Sequence, residues 1–442
     1  MRRIVGLGLA ALLMAGAWVL EPPPALDPDL AAVTTTAEED LISTSRFSHC
    51  SWAFADGDVD TAFALAALAE VEYQLSFPAG GELSQEEPQV LASLGAVSIP
   101  LSSFRVQGEA PAIIEFSDGP SAVGVVAQGD TELSAATCPS SLPKVWSVPG
   151  GSTDDGVQFV MRLLNPFAED ARVTIRGTSE LGSEALPGFE NMTVPARASR
   201  TILVHEEIPG RATVSLTIEQ IEGSVIPMAE LSDGTDLAVW PGVRQSETWE
   251  LPLTGLGSAP GDLVLSNDAL VDVSYTIDIF GEDGSVTTGP SGSLPGPGTV
   301  RIPMDATFAE GLFGVRVSAD GPISAALALE GDGGRGVAVG LPTVSNRWLI
   351  PGPNAEPAAQ YEMWLLNSGV DDVAVRYQYL DAAGDAVGVT EVVVPATSVL
   401  SVPATQAQTA AVLVDASAPI SVTYSASRGR AIAVGEAVRV GE

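Results

Sequence analysis

Basic residues are scarce. Twenty Lys and Arg face 56 Asp and Glu, for a formal net charge of -36, and Lys144 is the single lysine. A surface of that sign repels phosphate backbones, which excludes nucleic acid as a partner. The acidity reads as solubility in a medium whose salt screens the self-repulsion. Two cysteines and two histidines are too few for a Cys/His metal centre, and no cofactor is expected. Beyond the first twenty residues no apolar run approaches the 18 or so that a membrane-spanning helix needs. What is plentiful is apolar material and punctuation: 45% hydrophobic residues against 17% charged ones, with 45 Gly and 32 Pro. That composition is globular, too apolar for disorder and too interrupted for long helices.

The chain opens MRRIVGLGLAALLMAGAWVL. Arg2 and Arg3 supply a positive start, Ile4 to Met14 an apolar stretch, and Ala15-Gly16-Ala17 a small-x-small cleavage pattern, together a secretory signal. Ile4 to Leu20 also reaches the short limit of a membrane span, so residues 1–20 are read as a signal peptide or a membrane anchor, the latter giving N-terminal membrane contact. No cysteine follows the apolar stretch, which excludes a lipoprotein anchor. Residues 21–45 read as a flexible Pro-rich, acidic stem. Either way the body lies outside the cytoplasmic membrane, secreted or at the cell surface. In such an oxidising setting Cys50 and Cys138 are expected to pair. A bridge closing about 90 residues stabilises by roughly 4–5 kcal/mol, less any strain.

Tryptophan carries a repeat. Trp52, Trp146, Trp249 and Trp348 are spaced by 94, 103 and 99 residues. An Asn ends an apolar run 18 or 19 residues after the last three, at Asn165, Asn267 and Asn367, and a Pro follows 46 to 49 residues after all four, at Pro100, Pro195, Pro295 and Pro395. The periodicity inside each repeat is that of strands: Val373, Val375, Tyr377 and Tyr379 alternate with polar or small residues, as do Val273 to Ile279 and Val71 to Phe77. Seven or so strands per repeat of about 95–100 residues predict an all-β chain of tandem immunoglobulin-like β-sandwich modules after the N-terminal signal or anchor helix. The alternative is a β-propeller, whose blades would require each repeat to split into two similar halves. The modules are 46–140, 141–243, 244–343 and 344–442. The first is the least regular, running on as FALAALAEVEYQL where the others end on Asn.

Trp146-Ser-Val-Pro-Gly-Gly-Ser-Thr, then Leu164-Asn165-Pro166, an acidic turn, and Val194-Pro-Ala-Arg-Ala-Ser199 resemble the modules of an uncharacterised family of secreted actinobacterial proteins, a domain of unknown function. The resemblance is best over residues 138–230, weaker in modules three and four and weakest in module one. It implies export and a β-rich repeat and brings no activity with it.

The candidate chemistry is thin. PGGSTDDG, residues 149–156, looks like a loop presenting a nucleophile, yet the matching places in modules three and four, PLTGLGSAPG and PGPNAEPAA, lack the serine and both aspartates. Ser152 would need His49 or His205 as base, and the strand-Ser-helix context is missing. The loop also lacks the Lys and helix of a phosphate cradle, so it reads as a surface turn. Asp56, Asp58 and Asp60 alternate as a calcium loop begins, but Thr61 stands where Gly belongs and Ala67 where the bidentate Glu belongs, which leaves a weak calcium candidate. The remaining acids fall mostly in turns, where nothing raises a pKa for glycoside cleavage. The recurrent tryptophans read as core. The expectation is a non-enzymatic exported protein of the cell envelope or extracellular space, its modules forming a rod or a compact array that serves as scaffold, spacer or adhesion surface. The alternative is a protein binding carbohydrate or cell-wall polymer. No specific partner is legible; a cell-wall polymer or another envelope protein would suit.

Overall fold

The computed structural model describes residues 46–441 apart from 55–58, 105, 107, 131, 257–258, 305–310, 332–333, 353–358, 407 and 430. The segment 1–20, the stem 21–45, and Asp56 and Asp58 of the calcium candidate lie outside the described residues; Asp60 opens a strand, exposed. Nearly all regular structure is strand. The exceptions among the described residues are a 3-10 turn at Leu101–Ser103 and a single helical turn at Val204–Glu207.

Each repeat folds as two antiparallel sheets facing one another across a core. In module two the opening strand Val145–Gly151 pairs with the sixth, Val214–Glu222, which pairs with the third, Ala171–Ser179; the short fourth-strand segments complete that sheet. The other sheet runs from the fifth strand, Ala198–Leu203, through the second, Gln158–Asn165, and the seventh, Ile226–Ser232, to the eighth, Leu237–Pro241. The same order recurs in the other modules. In modules three and four the sixth and seventh strands are one continuous strand, Phe313–Gly331 and Ala411–Arg428, that passes from one sheet to the other. Module one follows suit: FALAALAEVEYQL lies on two strands, Asp60–Ala67 and Val71–Ala79, with Val71, Tyr73, Leu75 and Phe77 all buried. Alternation drives this, because the apolar residues of each strand fall on one face.

The eighth strands, Leu133–Thr137, Leu237–Pro241, Gly334–Val339 and Ala431–Glu436, are buried on both faces. In module two Ala238 and Trp240 enter their own core, while Leu237 and Val239 on the opposite face enter the core of module one. Val337 and Val339 of module three enter module two in the same way, and Val434 of module four enters module three. Leu133 and Ala135 of module one enter module four. Every core is therefore completed by the next module, and the fourth is completed by the first. The modules form a closed ring around a hub of eighth strands rather than a rod.

Contacts at the periphery close the same circle. The turn after the third strand of each module meets the turn before the fifth strand of the next: Gly81 N donates to Arg197 O at 3.5 Å, and Thr397 Oγ1 donates to Gly284 O at 2.9 Å. Gly384 of module four lies against the Ser93 carbonyl of module one so closely that a Cβ on it would sit 2.2 Å from that oxygen. Thr137 Oγ1 of module one donates to Glu436 O of module four at 2.8 Å.

Cys50 and Cys138 are bonded, with Cα atoms 4.9 Å apart, and tie the opening strand of module one to the segment that leads into module two.

Gly384→Ala is expected to cost about 2–4 kcal/mol, left-handed strain plus the contact with module one. Gly429→Ala, also at positive φ but with open space around it, is expected to cost about 1 kcal/mol. Equal losses in denaturant melts would show that the Gly384 contact does not close the ring. Reduction of the disulfide, or Cys50→Ser with Cys138→Ser, should remove roughly 4 kcal/mol for a closed loop of 88 residues, read as a lower denaturation midpoint.

Candidate functional site

The second strand ends on Asn in three modules because its amide bridges three chain segments. Asn165 Nδ2 donates to Glu169 O at 2.8 Å and Val194 O at 3.0 Å, while its Oδ1 accepts from Phe167 N at 3.0 Å. Asn267 makes the equivalent bonds to Val271 O, Leu294 O and Ala269 N, and Asn367 to Asp371 O, Val394 O and Gly369 N. Each buried amide thus fixes the loop after the second strand to the residue before the recurrent Pro, and that loop is aimed at the preceding module.

The indoles of Trp146, Trp249 and Trp348 donate to Val225 O, Ile323 O and Ile420 O at 2.9, 3.0 and 3.1 Å, locking the opening strand to the start of the seventh. Trp52 does not share that place. Trp146, Trp249 and Trp348 stand opposite Ile218, Val317 and Val414 of the sixth strand, and in module one the opposite of the matching residue, Ile114, is Ser48. Trp52 lies four positions on, buried at the boundary with module two, where its indole donates to Glu230 Oε2 at 2.6 Å. All four rings are 2% exposed or less, which leaves none as a platform for stacking a sugar.

The register makes His49 the counterpart of Ser147, Glu250 and Leu349. Those three close their junctions with the next module by different chemistries. Ser147 Oγ donates to Ser324 Oγ of module three at 2.8 Å. Glu250, 2% exposed, accepts from Arg316 at 2.6 Å and from Ser368 and Ser421 of module four at 2.5 Å. Leu349 packs with Ala66 and Ala122 of module one and with Leu380 and Leu413. A space between modules two and three, bounded by Gly151, Val264 and Arg335, is about 10 Å³, room for about one water.

The junction of modules one and two is open. Toward the hub it is held by Arg162, 6% exposed, which pairs with Glu109 of module one at 2.7 Å and Glu230 at 2.6 Å and lies 4.6 Å over the Phe54 ring. Outside that clamp remains a groove of about 330 Å³. Phe47, His49, Ile113 and Glu115 form its floor on the outer face of module one's first sheet. Leu142 of the connecting segment and Pro166, Phe167 and Arg197 of module two form the other wall. Phe47, Leu142 and Phe167 are 40%, 38% and 42% exposed. The matching sheet faces of modules two to four instead carry paired charges, such as Arg176 with Glu219 and Arg347 with Asp415 at 2.9 and 2.6 Å. Burial pushes the His49 imidazole down to about 4, so it is neutral at pH 7. Its Nδ1 faces Pro139 O at 3.4 Å. Arg197 is held in the left-handed region at φ 47° by its own N–H to Phe167 O at 2.9 Å. Its guanidinium has no ion pair or hydrogen bond to a described residue.

PGGSTDDG departs from a surface turn. Gly150 to Thr153 are buried, and only Asp154 to Gly156 are exposed. Ser152 Oγ meets Arg211 O at 3.3 Å and Thr153 N donates to the same oxygen at 2.8 Å, because the chain from Gly210 folds over this loop. His205 Nδ1 lies 3.0 Å from Phe159 O and His49 on the other module by Pro139 O, so Ser152 and the two imidazoles each bond to backbone rather than to one another. Among the described residues no group of three His, Cys, Asp or Glu side chains could hold a metal ion.

Two perturbed acids sit on the hub. Burial pushes the carboxyl of Glu436 up to about 7, with Oε2 lacking any hydrogen-bond partner. Asp236, one residue before an eighth strand, is also pushed by burial to about 7, although Arg335 N–H and Leu237 N–H donate to it.

The chain belongs to a family: the model described as "Family of unknown function (DUF5719)" matches residues 102–405. No curated protein matches. Among solved structures, one from Thermotoga maritima, "Thermotoga maritima 1070", aligns over 22% of this chain and 96% of its own at 11% identity and a TM-score of 0.20. Native alpha-2-macroglobulin from Escherichia coli, spanning domains MG0-NIE-MG1, aligns over 67% of this chain and 96% of its own at 10% identity and a TM-score of 0.14.

Both hub acids are more basic folded than unfolded, so their stabilising contribution is complete below the unfolded carboxyl range and is lost as pH rises through about 7. Melting temperature should fall between about pH 4 and 7, and Glu436→Gln should flatten part of that fall. A variant whose pH profile parallels the parent's would dismiss Glu436 as its source.

Proposed function

We propose that this chain is a non-enzymatic, exported scaffold of the cell envelope or extracellular space, built of immunoglobulin-like sandwiches closed into a ring, which holds a partner in the groove between modules one and two. The observation that carries the reading is a contrast among the described residues: Ser147, Glu250 and Leu349 bond to or pack on the next module, whereas the junction of modules one and two keeps a groove of about 330 Å³ with aromatic rings at its rim. Ligand sites are concave, largely apolar and few per protein, and this volume lies at their lower bound. The immunoglobulin likeness rests on pairing: the second strand lies beside the fifth and the third beside the sixth, as in that fold, although here the opening strand flanks the sixth and the seventh flanks the second. Export is supported by the Cys50–Cys138 bond, which persists in oxidising compartments, and by the signal-like start of the chain. No helix among the described residues is long and apolar enough to cross a membrane. A non-enzymatic role is supported by the way Ser152, His49 and His205 spend their polar atoms on backbone carbonyls.

Fractionation of cells producing the tagged full chain tests the reading: oxidised protein in the envelope or medium is expected, and a reduced, cytoplasmic pool would overturn it. Phe167→Ser should weaken retention on isolated envelope material about tenfold or more, as loss of an aromatic anchor does. Val286→Ser, on another exposed apolar side chain, should leave retention unchanged.

A further inference from the structure

We propose that the groove between modules one and two recognises the free C-terminal end of a peptide whose last residue is apolar or aromatic. The inference rests on the groove being the contact surface and specifies what it contacts. Three features of the walls point to this occupant.

The first is charge. In a chain of net charge -36, arginines such as Arg162, Arg316 and Arg347 are paired with carboxylates, and Arg197 faces the groove with no described partner. Its backbone is fixed at both ends of the residue, by the bonds to Phe167 O and from Gly81 N, so the guanidinium projects from an anchored point. A guanidinium so placed is suited to a carboxylate, which it can bind bidentately.

The second is proximity of charge to apolar surface. Phe167, whose carbonyl anchors Arg197, is 42% exposed at the groove, and Phe47, Leu142 and Ile113 line it too. A cavity of about 330 Å³ has room for a terminal residue. The last residue of a peptide carries its carboxylate and its side chain on one Cα, so it can reach the arginine and the rings together. An internal Asp or Glu offers the charge without the apolar group.

The third is the polar lining on the module-one side, Glu115 of the floor and Gln85 beside it. A carboxylate accepts and an amide both accepts and donates, which suits the N–H and C=O groups of a peptide backbone, and a fatty acid has no N–H to offer. The neutral His49 in the floor adds no competing positive charge. An uncharged polysaccharide would leave Arg197 unmatched in a mostly apolar site.

The test is calorimetric titration of the oxidised full chain with acetyl-Gly-Ala-Leu-Phe and with its C-terminal amide. Binding of the acid is expected, and at least about tenfold weaker binding of the amide, the size of one charge-assisted contact. Arg197→Gln should abolish the difference between acid and amide while keeping the parent's melting temperature. Phe167→Ser should weaken both. No binding of the acid at millimolar concentration, equal affinities for acid and amide, or an Arg197→Gln variant that still discriminates would each overturn the proposal. Tighter binding of decanoate than of the peptide would overturn it in favour of a lipid ligand. Envelope localisation is read separately by fractionation, so the wider reading survives or fails independently of these titrations.

Discussion

Each eighth strand belongs to two cores, and the architecture depends on that double membership. A strand with one face in a core and one in water would show a polar edge row; these four instead carry Leu, Val or Ala on both sides, such as Leu237, Ala238, Val239 and Trp240. Full burial of one such side chain is worth about 1.5–3 kcal/mol, and the outward residues find that burial only in the neighbouring module. Edge strands of isolated sandwiches are aggregation hazards. Here the last edge of every second sheet is covered by a neighbour, which removes the hazard by closure.

The junctions share geometry but not chemistry, and the difference fixes the order of the modules. Buried Glu250 is satisfied by Ser368 and Ser421 of module four; an apolar surface in their place would leave a buried acceptor short of donors, at a cost of about 1–3 kcal/mol. Thr178 of module two meets Ser266 and Thr299 of module three at 3.2 and 2.8 Å, while at the junction from module four to module one Leu349 packs on Ala66 and Ala122. A module presented with the wrong neighbour would bury unmatched polar groups, a form of specificity by penalty.

The repeat, the strands and the disulfide were legible in the sequence because each has a local signature: period-two alternation, Asn and Pro in step, and a lone pair of cysteines. The recurrence of Asn165, Asn267 and Asn367 marked a real structural place, although its cause, an amide bonded to carbonyls 4 and 27 to 29 residues further on, has no local signature. Trp52 misled because spacing along the chain is blind to register; pairing with the sixth strand puts Ser48 where the other modules have Trp. The loop at Ser152 is part-buried rather than a surface turn because the segment that covers it, at Gly210 and Arg211, lies far along the chain. Ring closure was hidden for the same reason: a short strand apolar on both faces looks alike whether it is central in one sheet or shared between two modules. The groove could be sensed only indirectly, through the irregularity of module one, since its walls come from seven separate segments.

Closure also changes what kind of repeat protein this is. In a linear array each unit touches only its neighbours, end units need caps, and folding can start anywhere and spread. A circle of donors has no end unit and no cap, and no module owns a finished core. The bond from Thr137 to Glu436 joins residues 299 apart, so the first core waits on the second and the fourth on the first. Contacts so distant make folding slow. They also make it collective: four sequences that look like independent beads share one cooperative fate, and cutting the circle at any bead leaves a core open to water.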